Sequence, residues 1–288
     1  MRIIRNPEQM GACVLVLGMF DGVHRGHQAL LMRGAALAGE YGLPLNVCTF
    51  EPHPLAVLRP ELAPARLTTQ TERAQLMAGF GVDNLCVMTF TRDVADQVPE
   101  DFMADMVRTF APKCVVCGFN FTFGRTGKGT GDMLRAYGAD HGFETVIVPE
   151  VILEGATVSS TRIRRLLEAG RIPEVSCLMG HAYTLSGTVK EIDSHAPAAP
   201  MTVPRNKALP ASGAYACYLT VGGQNYPALA FVDGGVEVWA LDSVLVLKGR
   251  QVRLTFMKQL RETPETADCR ERLARDAAQA RQFFFSIR

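Results

Sequence analysis

Apolar runs alternate with amphipathic segments along the first two-thirds of the chain. Five apolar runs have the length of buried β-strands, at residues 13–17, 46–50, 84–90, 113–118 and 144–149. Segments of helical character lie between them, at residues 28–41, 69–79, 99–110 and 133–141. The second of these begins with capping-box spacing at Thr69 and Glu72. This alternation predicts an α/β fold with a doubly wound parallel sheet.

The pattern changes near residue 183. Short β-like runs then follow at residues 183–189, 214–221, 226–232, 236–241 and 251–256, with a last helical segment at 266–283. These runs predict a small β-barrel with a C-terminal helix. Because 288 residues exceed the usual size of one domain, we expect two, at residues 1–183 and 184–288. Residues 194–210 are rich in Pro and Ala and are expected to form a linker.

The residues that follow the first strand have the composition of an anion site. Glycines and two histidines lie between the strand and the next helix, namely Gly18, Phe20, Gly22, His24 and His27. A helix N-terminus presents free N–H groups and a positive dipole end, and histidines there can donate to phosphate oxygens. The alternative is a pair of ordinary surface histidines, but the flanking glycines and the preceding buried strand favour the anion site.

Three later strand ends also carry candidate chemistry, since ligands of parallel sheets collect at the carboxyl ends of the strands. After the second strand, a turn rich in proline presents Phe50, Pro52 and His53. After the fourth, a loop rich in glycine contains Asn120 and Phe123. After the fifth, a helix start contains Ser159, Ser160, Thr161, Arg162 and Arg164. Each also has an ordinary structural interpretation: a stiff turn, core aromatics, and an N-cap with solvated arginines.

These four segments together resemble the bacterial FAD synthetases. Gly18-Met-Phe-Asp-Gly-Val-His-Arg-Gly-His27 is similar to their G-x-F-D-G-V-H-x-G-H signature, and three other family motifs follow in order within residues 13–183. Glu51 is a departure, since the family usually has Asp there. The resemblance implies adenylyl transfer from ATP to FMN, with FMN and ATP as substrates and Mg²⁺ accompanying ATP.

The resemblance also implies residue roles. The catalytic residues would be His24, His27 and Arg162. ATP and its phosphates would be bound by Gly18, Phe20, Gly22, Ser159, Ser160, Thr161 and Arg164. FMN would be bound by Phe50, Pro52, His53, Asn120 and Phe123. The sequence contains no cluster of carboxylates that would identify protein ligands of the metal. Two other functions stay open: a nucleotidylyltransferase with another phosphorylated acceptor, and a catalytically silent binder with a regulatory barrel.

The second domain resembles a riboflavin kinase barrel, but one of its motifs is altered. The family has a G-F-P-T-A-N segment that binds nucleotide and magnesium, whereas this chain has Ala-Pro-Met-Thr-Val-Pro at residues 199–204. Thr202 and Glu237 resemble remnants of the kinase site, with Glu237 as the base. We therefore predict that kinase activity is lost or weak. The alternative is that Thr202 and Asn206 rebuild the site on a loop of different shape.

Composition excludes several other classes of protein. A net charge of +1 gives no electrostatic footprint for nucleic acid or an acidic membrane. No apolar run is long enough to span a bilayer, and the first residues lack a signal-peptide pattern, so we expect a cytoplasmic protein with neither kind of partner. Cys114 and Cys117 have the spacing of a zinc or redox pair, but they lie in a predicted buried strand and no second pair follows.

Overall fold

A computed structural model describes residues 1–190, 198–243, 245–262 and 269–287, which form two compact units, Met1–Ser159 and Ser160–Arg288. The strands of the first unit are β1 (Arg2–Arg5), β2 (Cys13–Leu17), β3 (Leu45–Glu51), β4 (Asn84–Thr89), β5 (Pro112–Gly118), β6 (Thr122–Phe123), β7 (Gly129–Thr130), β8 (Glu144–Val148), β9 (Ile152–Leu153) and β10 (Ala156–Thr157). Its helices are α1 (Arg25–Tyr41), α2 (Pro54–Leu58), α3 (Gln70–Ala78), α4 (Arg92–Asp96), α5 (Pro99–Phe110) and α6 (Gly131–His141).

Six of these strands form a parallel sheet in the order β1-β4-β3-β2-β5-β8. Alternate residues of the central strands point to opposite faces. On one face Val14 and Val16 pack with residues of α1 and α3. On the other, Leu15 and Leu17 pack with residues of α5 and α6. Helices cover both faces, which confirms the doubly wound sheet.

The predicted strands and helices of the first unit are all present, with ends that shift by a few residues. Helix α1 begins at Arg25 rather than at residue 28, because the His24 side chain already caps it. Strand β1 was not predicted. It is four residues long, lies at the edge of the sheet and has two arginines, so no apolar run marks it.

The second unit contains helices and a closed barrel. Its helices are α7 (Ser160–Glu168), α8 (Ile172–Met179) and α9 (Cys269–Ser286), and its strands are β11 (Thr184–Val189), β12 (Ala199–Thr202), β13 (Gly213–Val221), β14 (Gln224–Val232), β15 (Val236–Ala240) and β16 (Gln251–Glu262). The barrel closes in the order β11-β12-β15-β14-β13-β16. Tyr183, Tyr215 and Phe256 are fully buried, and both tyrosine rings pack against Phe256. The predicted barrel is confirmed.

The expected linker at residues 194–210 is wrong in part, because β12 lies within it. Residues 194–197 lie outside the described part of the chain. Strand β12 pairs with β11 on one side and β15 on the other. Ala199 and Met201 are buried and Thr202 is exposed, which is the alternation of a barrel strand. The strand was not predicted because it is only four residues long and contains a proline, which is uncommon within strands. For the final helix, residues 266–268 of the prediction also lie outside the described residues.

Cys114 and Cys117 belong to opposite faces of the sheet. Cys114 is part of the core on the α1 side, and Cys117 is part of the core on the α5 side. Burial raises the pKa of each thiol to about 11. They therefore act as small apolar side chains rather than as a metal or redox pair. Among the helices that the structure describes, none has the length and hydropathy needed to cross a membrane.

Candidate functional site

The turn between β2 and α1 has a strained backbone. Phe20 and Val23 adopt positive φ angles of 55° and 40°, and Gly22 has a φ of 86°. Both non-glycine residues are fully buried, so packing holds them in this unfavourable conformation. A Cβ on Gly18 would lie 3.0 Å from the Phe20 ring, so a larger residue there would require the ring to shift. Strain of this kind is concentrated at functional sites.

Asp21 fastens this turn to the segment that precedes α3. Its buried carboxylate accepts hydrogen bonds from the backbone N–H groups of Leu67 and Thr68, at 3.1 and 3.0 Å. The Thr68 hydroxyl accepts a bond from the Gly22 N–H at 3.0 Å. Sequence reasoning assigned no role to Asp21. The available signal was a carboxylate in a turn otherwise made of glycine and apolar residues.

The two histidines stack at the N-terminus of α1. Their ring centroids are 3.7 Å apart with an interplanar angle of 16°. His24 is buried, and its Nδ1 accepts a 3.4 Å hydrogen bond from the His27 N–H, which caps the helix. The His27 ring also lies 5.2 Å from that of Phe20. The site therefore offers two imidazoles and a helix N-terminus at the carboxyl end of a central strand, an arrangement suited to a phosphate.

His27 is neutral near pH 7. Burial lowers its pKa well below the usual range, and the neighbouring His24 and Arg73 lower the pKa further. Its Nδ1 is buried without a hydrogen-bond partner. A buried polar atom of this kind calls for an explanation, and a bound ligand is one.

The segment after β3 carries Phe50, Pro52 and His53. The Phe50 ring meets Phe90 edge-on at 5.6 Å and lies 6.4 Å from the ring of Phe102. His53 caps α2, since its Nδ1 accepts a 3.2 Å bond from the Leu55 N–H. The Glu51–Pro52 peptide bond is cis. These contacts give the segment a fixed shape, and its role in FMN binding stays a prediction.

The aromatic residues after β5 differ in exposure. Phe123 is buried and packs 4.8 Å from Phe102, whereas Phe119 is 51% exposed. Asn120 is exposed at the end of the strand. Phe123 thus belongs to the core, whereas the ring of Phe119 is exposed to solvent. The predicted contacts of Asn120 and Phe123 with FMN are not tested by this placement.

The serine-rich motif spans the junction of the two units. The Val158 carbonyl lies 3.7 Å from the position that a Cβ on Gly26 would take, so the chain passes beside the N-terminus of α1. Ser159 ends the first unit, and α7 begins at Ser160. Thr161 is exposed, and Arg162 and Arg164 are half-buried in α7. Their predicted phosphate contacts stay predictions.

In the barrel, Glu237 and Thr202 lie on neighbouring strands. Glu237 of β15 pairs with Pro200 of β12, and Met201 pairs with Val236. Glu237 and Thr202 are exposed, whereas Met201 is buried. The outer surface of the barrel here carries one carboxylate and one hydroxyl, while the methionine contributes to the interior.

Two family models match the chain in succession. The model described as FAD synthetase matches residues 6–162, and the model described as riboflavin kinase matches residues 179–284. Together they account for both parts of the chain.

Curated relatives cover between 71% and 99% of the chain. Bifunctional riboflavin kinase/FMN adenylyltransferase of Listeria monocytogenes is 33% identical over 86% of this chain and 84% of its own length. The Escherichia coli protein of the same name is 30% identical over 99% and 98%. A second Listeria protein, named FAD synthetase, is 32% identical over 71% and 80%.

A solved structure from Streptococcus pneumoniae, titled as a macrolide-efflux protein, has a TM-score of 0.87 and 27% sequence identity. The similarity covers 97% of each chain.

Proposed function

The chain belongs to the bacterial FAD synthetase family and is an FMN adenylyltransferase, and we propose that its histidine pair is the centre of this reaction and that its barrel has little or no riboflavin kinase activity. The first proposal is supported by the stacking of His24 on His27, at the start of a helix that His24 caps and directly after a strained turn.

Adenylyl transfer requires that the two substrates be positioned and that the charge developing on the phosphates be stabilised. A phosphate oxygen of FMN attacks the α-phosphorus of ATP, the new P–O–P bond forms, and the bond to the β-phosphate breaks to release pyrophosphate. The protein needs no covalent nucleophile for this displacement. A neutral imidazole of His27, with one N–H, can donate to a phosphate oxygen that becomes more negative in the transition state. The half-buried Arg162 is the proposed cation for the β- and γ-phosphates.

Magnesium is proposed to arrive as part of the ATP substrate. Within the described residues, no group of three His, Cys, Asp or Glu side chains could hold a metal. A dedicated protein cage therefore does not fit the donors present. Magnesium bound mainly through phosphate oxygens and water does fit them.

The kinase proposal depends on the segment at β12. If its proline is matched to that of G-F-P-T-A-N, Met201 stands in place of the threonine and Val203 in place of the asparagine. Neither side chain offers an oxygen ligand to magnesium or a hydrogen-bond donor to a phosphate. A relative named only FAD synthetase supports the proposal, whereas relatives named as bifunctional support the alternative of a working kinase.

The direct test supplies ATP–magnesium with FMN in one reaction and with riboflavin in another, and separates the flavin products. We expect FAD from FMN and little FMN or FAD from riboflavin. FMN binding without FAD formation, under any divalent metal, would contradict the proposed catalytic site. Preferential turnover of nicotinamide mononucleotide or phosphopantetheine would favour a different phosphorylated acceptor.

A further inference from the structure

Arg73 places a cation inside the first unit. It lies in the first turns of α3 and is only 5% exposed. A charge that is removed from water is costly unless the surrounding groups pair with it. Its partners therefore indicate why the residue is there.

The guanidinium joins two segments that are far apart in the sequence. Nη1 donates to the Met19 carbonyl at 3.0 Å, and Nη2 donates to Glu51 at 3.1 Å. Met19 belongs to the turn that leads to the histidines, and Glu51 belongs to the segment with Phe50 and His53. A planar fork with several donors can hold both partners at once, which an ammonium cannot do in the same geometry.

The contact with Met19 leads directly to the histidine pair. Met19 precedes Phe20, whose backbone is strained and whose ring lies 5.2 Å from that of His27. A shift of the Met19 carbonyl would therefore move the ring that supports His27. The Met19 carbonyl also accepts a 3.2 Å bond from the Thr49 hydroxyl, so this position is held from two sides.

Glu51 is shared between Arg73 and Arg66, which also forms an ion pair with it. Burial alone would raise the pKa of Glu51, but hydrogen bonds and charges from Arg66 and Arg73 outweigh it, so the pKa falls below its usual range. Glu51 is thus ionised near pH 7. Arg66 binds the same carboxylate, whereas the Met19 carbonyl of the histidine turn accepts from Arg73 and Thr49, which makes Arg66 a matched control.

The Nε of Arg73 is buried without a hydrogen-bond partner. Unpaired buried donors are uncommon in proteins and call for an explanation. A role of Arg73 in the site is one such explanation.

We propose that Arg73 is a positioning residue for adenylyl transfer, which fixes the histidine turn relative to the Phe50–His53 segment through Met19 and Glu51. This inference rests on the proposed function of the histidine pair. The residue acts through its neighbours and does not itself contact the reacting atoms.

The test compares full-length Arg73→Met, Arg73→Lys and Arg66→Met with the wild type. FAD formation from FMN and ATP–magnesium is measured below the melting temperature of each variant and expressed per folded protein. Misplacing reacting groups by about 1 Å can lower a rate ~10²-fold. We expect Arg73→Met to lower kcat by roughly 10–10²-fold with a smaller change in KM for ATP. Arg73→Lys should recover part of that loss, and Arg66→Met should stay within about threefold of wild type.

The outcomes separate this inference from the proposed function. Absence of FAD with the wild-type protein contradicts the proposed function itself. Wild-type FAD formation combined with an unchanged kcat in Arg73→Met overturns only the role of Arg73. Equal losses in Arg73→Met and Arg66→Met also overturn it, since they would point to the charge balance at Glu51. If neither Arg73 variant folds while Arg66→Met does, Arg73 is required for folding and the positioning role is rejected.

Discussion

At the scale of single residues, His27 combines a partner-free buried nitrogen with a place at the N-terminus of α1. We predict that His27→Ala lowers FAD formation by ~10²–10³-fold, because one donor to the transition state is removed. The effect on the free energy of unfolding should be small by comparison, since the lost ring leaves no hydrogen-bond partner behind at Nδ1. His141→Ala is the control, because His141 is an exposed histidine that stacks on Tyr137. Wild-type turnover by folded His27→Ala would remove His27 from the catalytic site.

The same histidine predicts a pH dependence of stability. Its pKa is lowered in the folded protein by burial and then by His24 and Arg73, so below about pH 6.5 the unfolded chain takes up a proton that the folded protein resists. The stabilisation is therefore complete above that pH and is lost as the pH falls towards the folded pKa. Between pH 7.5 and 5.5 this loss is at most about 1.4 kcal/mol. Urea unfolding at both values should show a smaller loss in His27→Asn than in the wild type. An equal loss in both proteins would mean that His27 is not held neutral.

At the scale of elements, α1 is placed by a close approach to the sheet at Gly34. A Cβ there would lie 2.5 Å from Val16 Cγ2 and 3.0 Å from Leu45 Cδ1. Val16 is fully buried in β2 and its branched side chain is stiff, so it cannot move away from an added Cβ without a cost in free energy. We predict that Gly34→Ala destabilises the protein by about 1–3 kcal/mol.

Gly39 provides the matched control in the same helix, since a Cβ there meets nothing within 4 Å. Gly39→Ala should stabilise by about 0.5–1 kcal/mol through helix propensity. Thermal or denaturant unfolding measures both changes. A neutral Gly34→Ala would mean that α1 does not depend on this contact for its distance from the sheet.

Which elements could be predicted depends on how local their causes are. The capping box of α3 uses Thr69 and Glu72, three residues apart, and both of its bonds are present as predicted. The role of Asp21 could not be predicted, because its partners Leu67 and Thr68 are 46 and 47 residues away. The turn, the stacked histidines and their helix start follow from one short motif, whereas the arginine that holds them comes from another part of the chain.

At the scale of the whole molecule, two units are joined in one chain, and their sequences differ in how fully they keep family motifs. The first keeps both histidines of its signature, and the second has Met201 and Val203 where two polar residues are expected. A barrel strand tolerates this change, since Met201 is buried in the interior and adds apolar contact. The fold of the barrel therefore says nothing about whether its kinase chemistry survives.

We predict that the chain makes FAD from FMN but phosphorylates riboflavin at less than about a hundredth of that rate, since charge stabilisation and positioning carry phosphoryl transfer. Glu237 could act as a base, but general-base catalysis alone contributes only ~10²–10⁴-fold. Thr202 is exposed on the neighbouring strand β12, and Asn206 lies four residues further along in an exposed turn. Riboflavin with ATP–magnesium, followed by separation of FMN, measures the activity. The control variant is Glu262→Gln, an exposed carboxylate at the end of β16. Robust FMN formation that disappears in Glu237→Gln and persists in Glu262→Gln would mean that Thr202 and Asn206 rebuild a working site around the base.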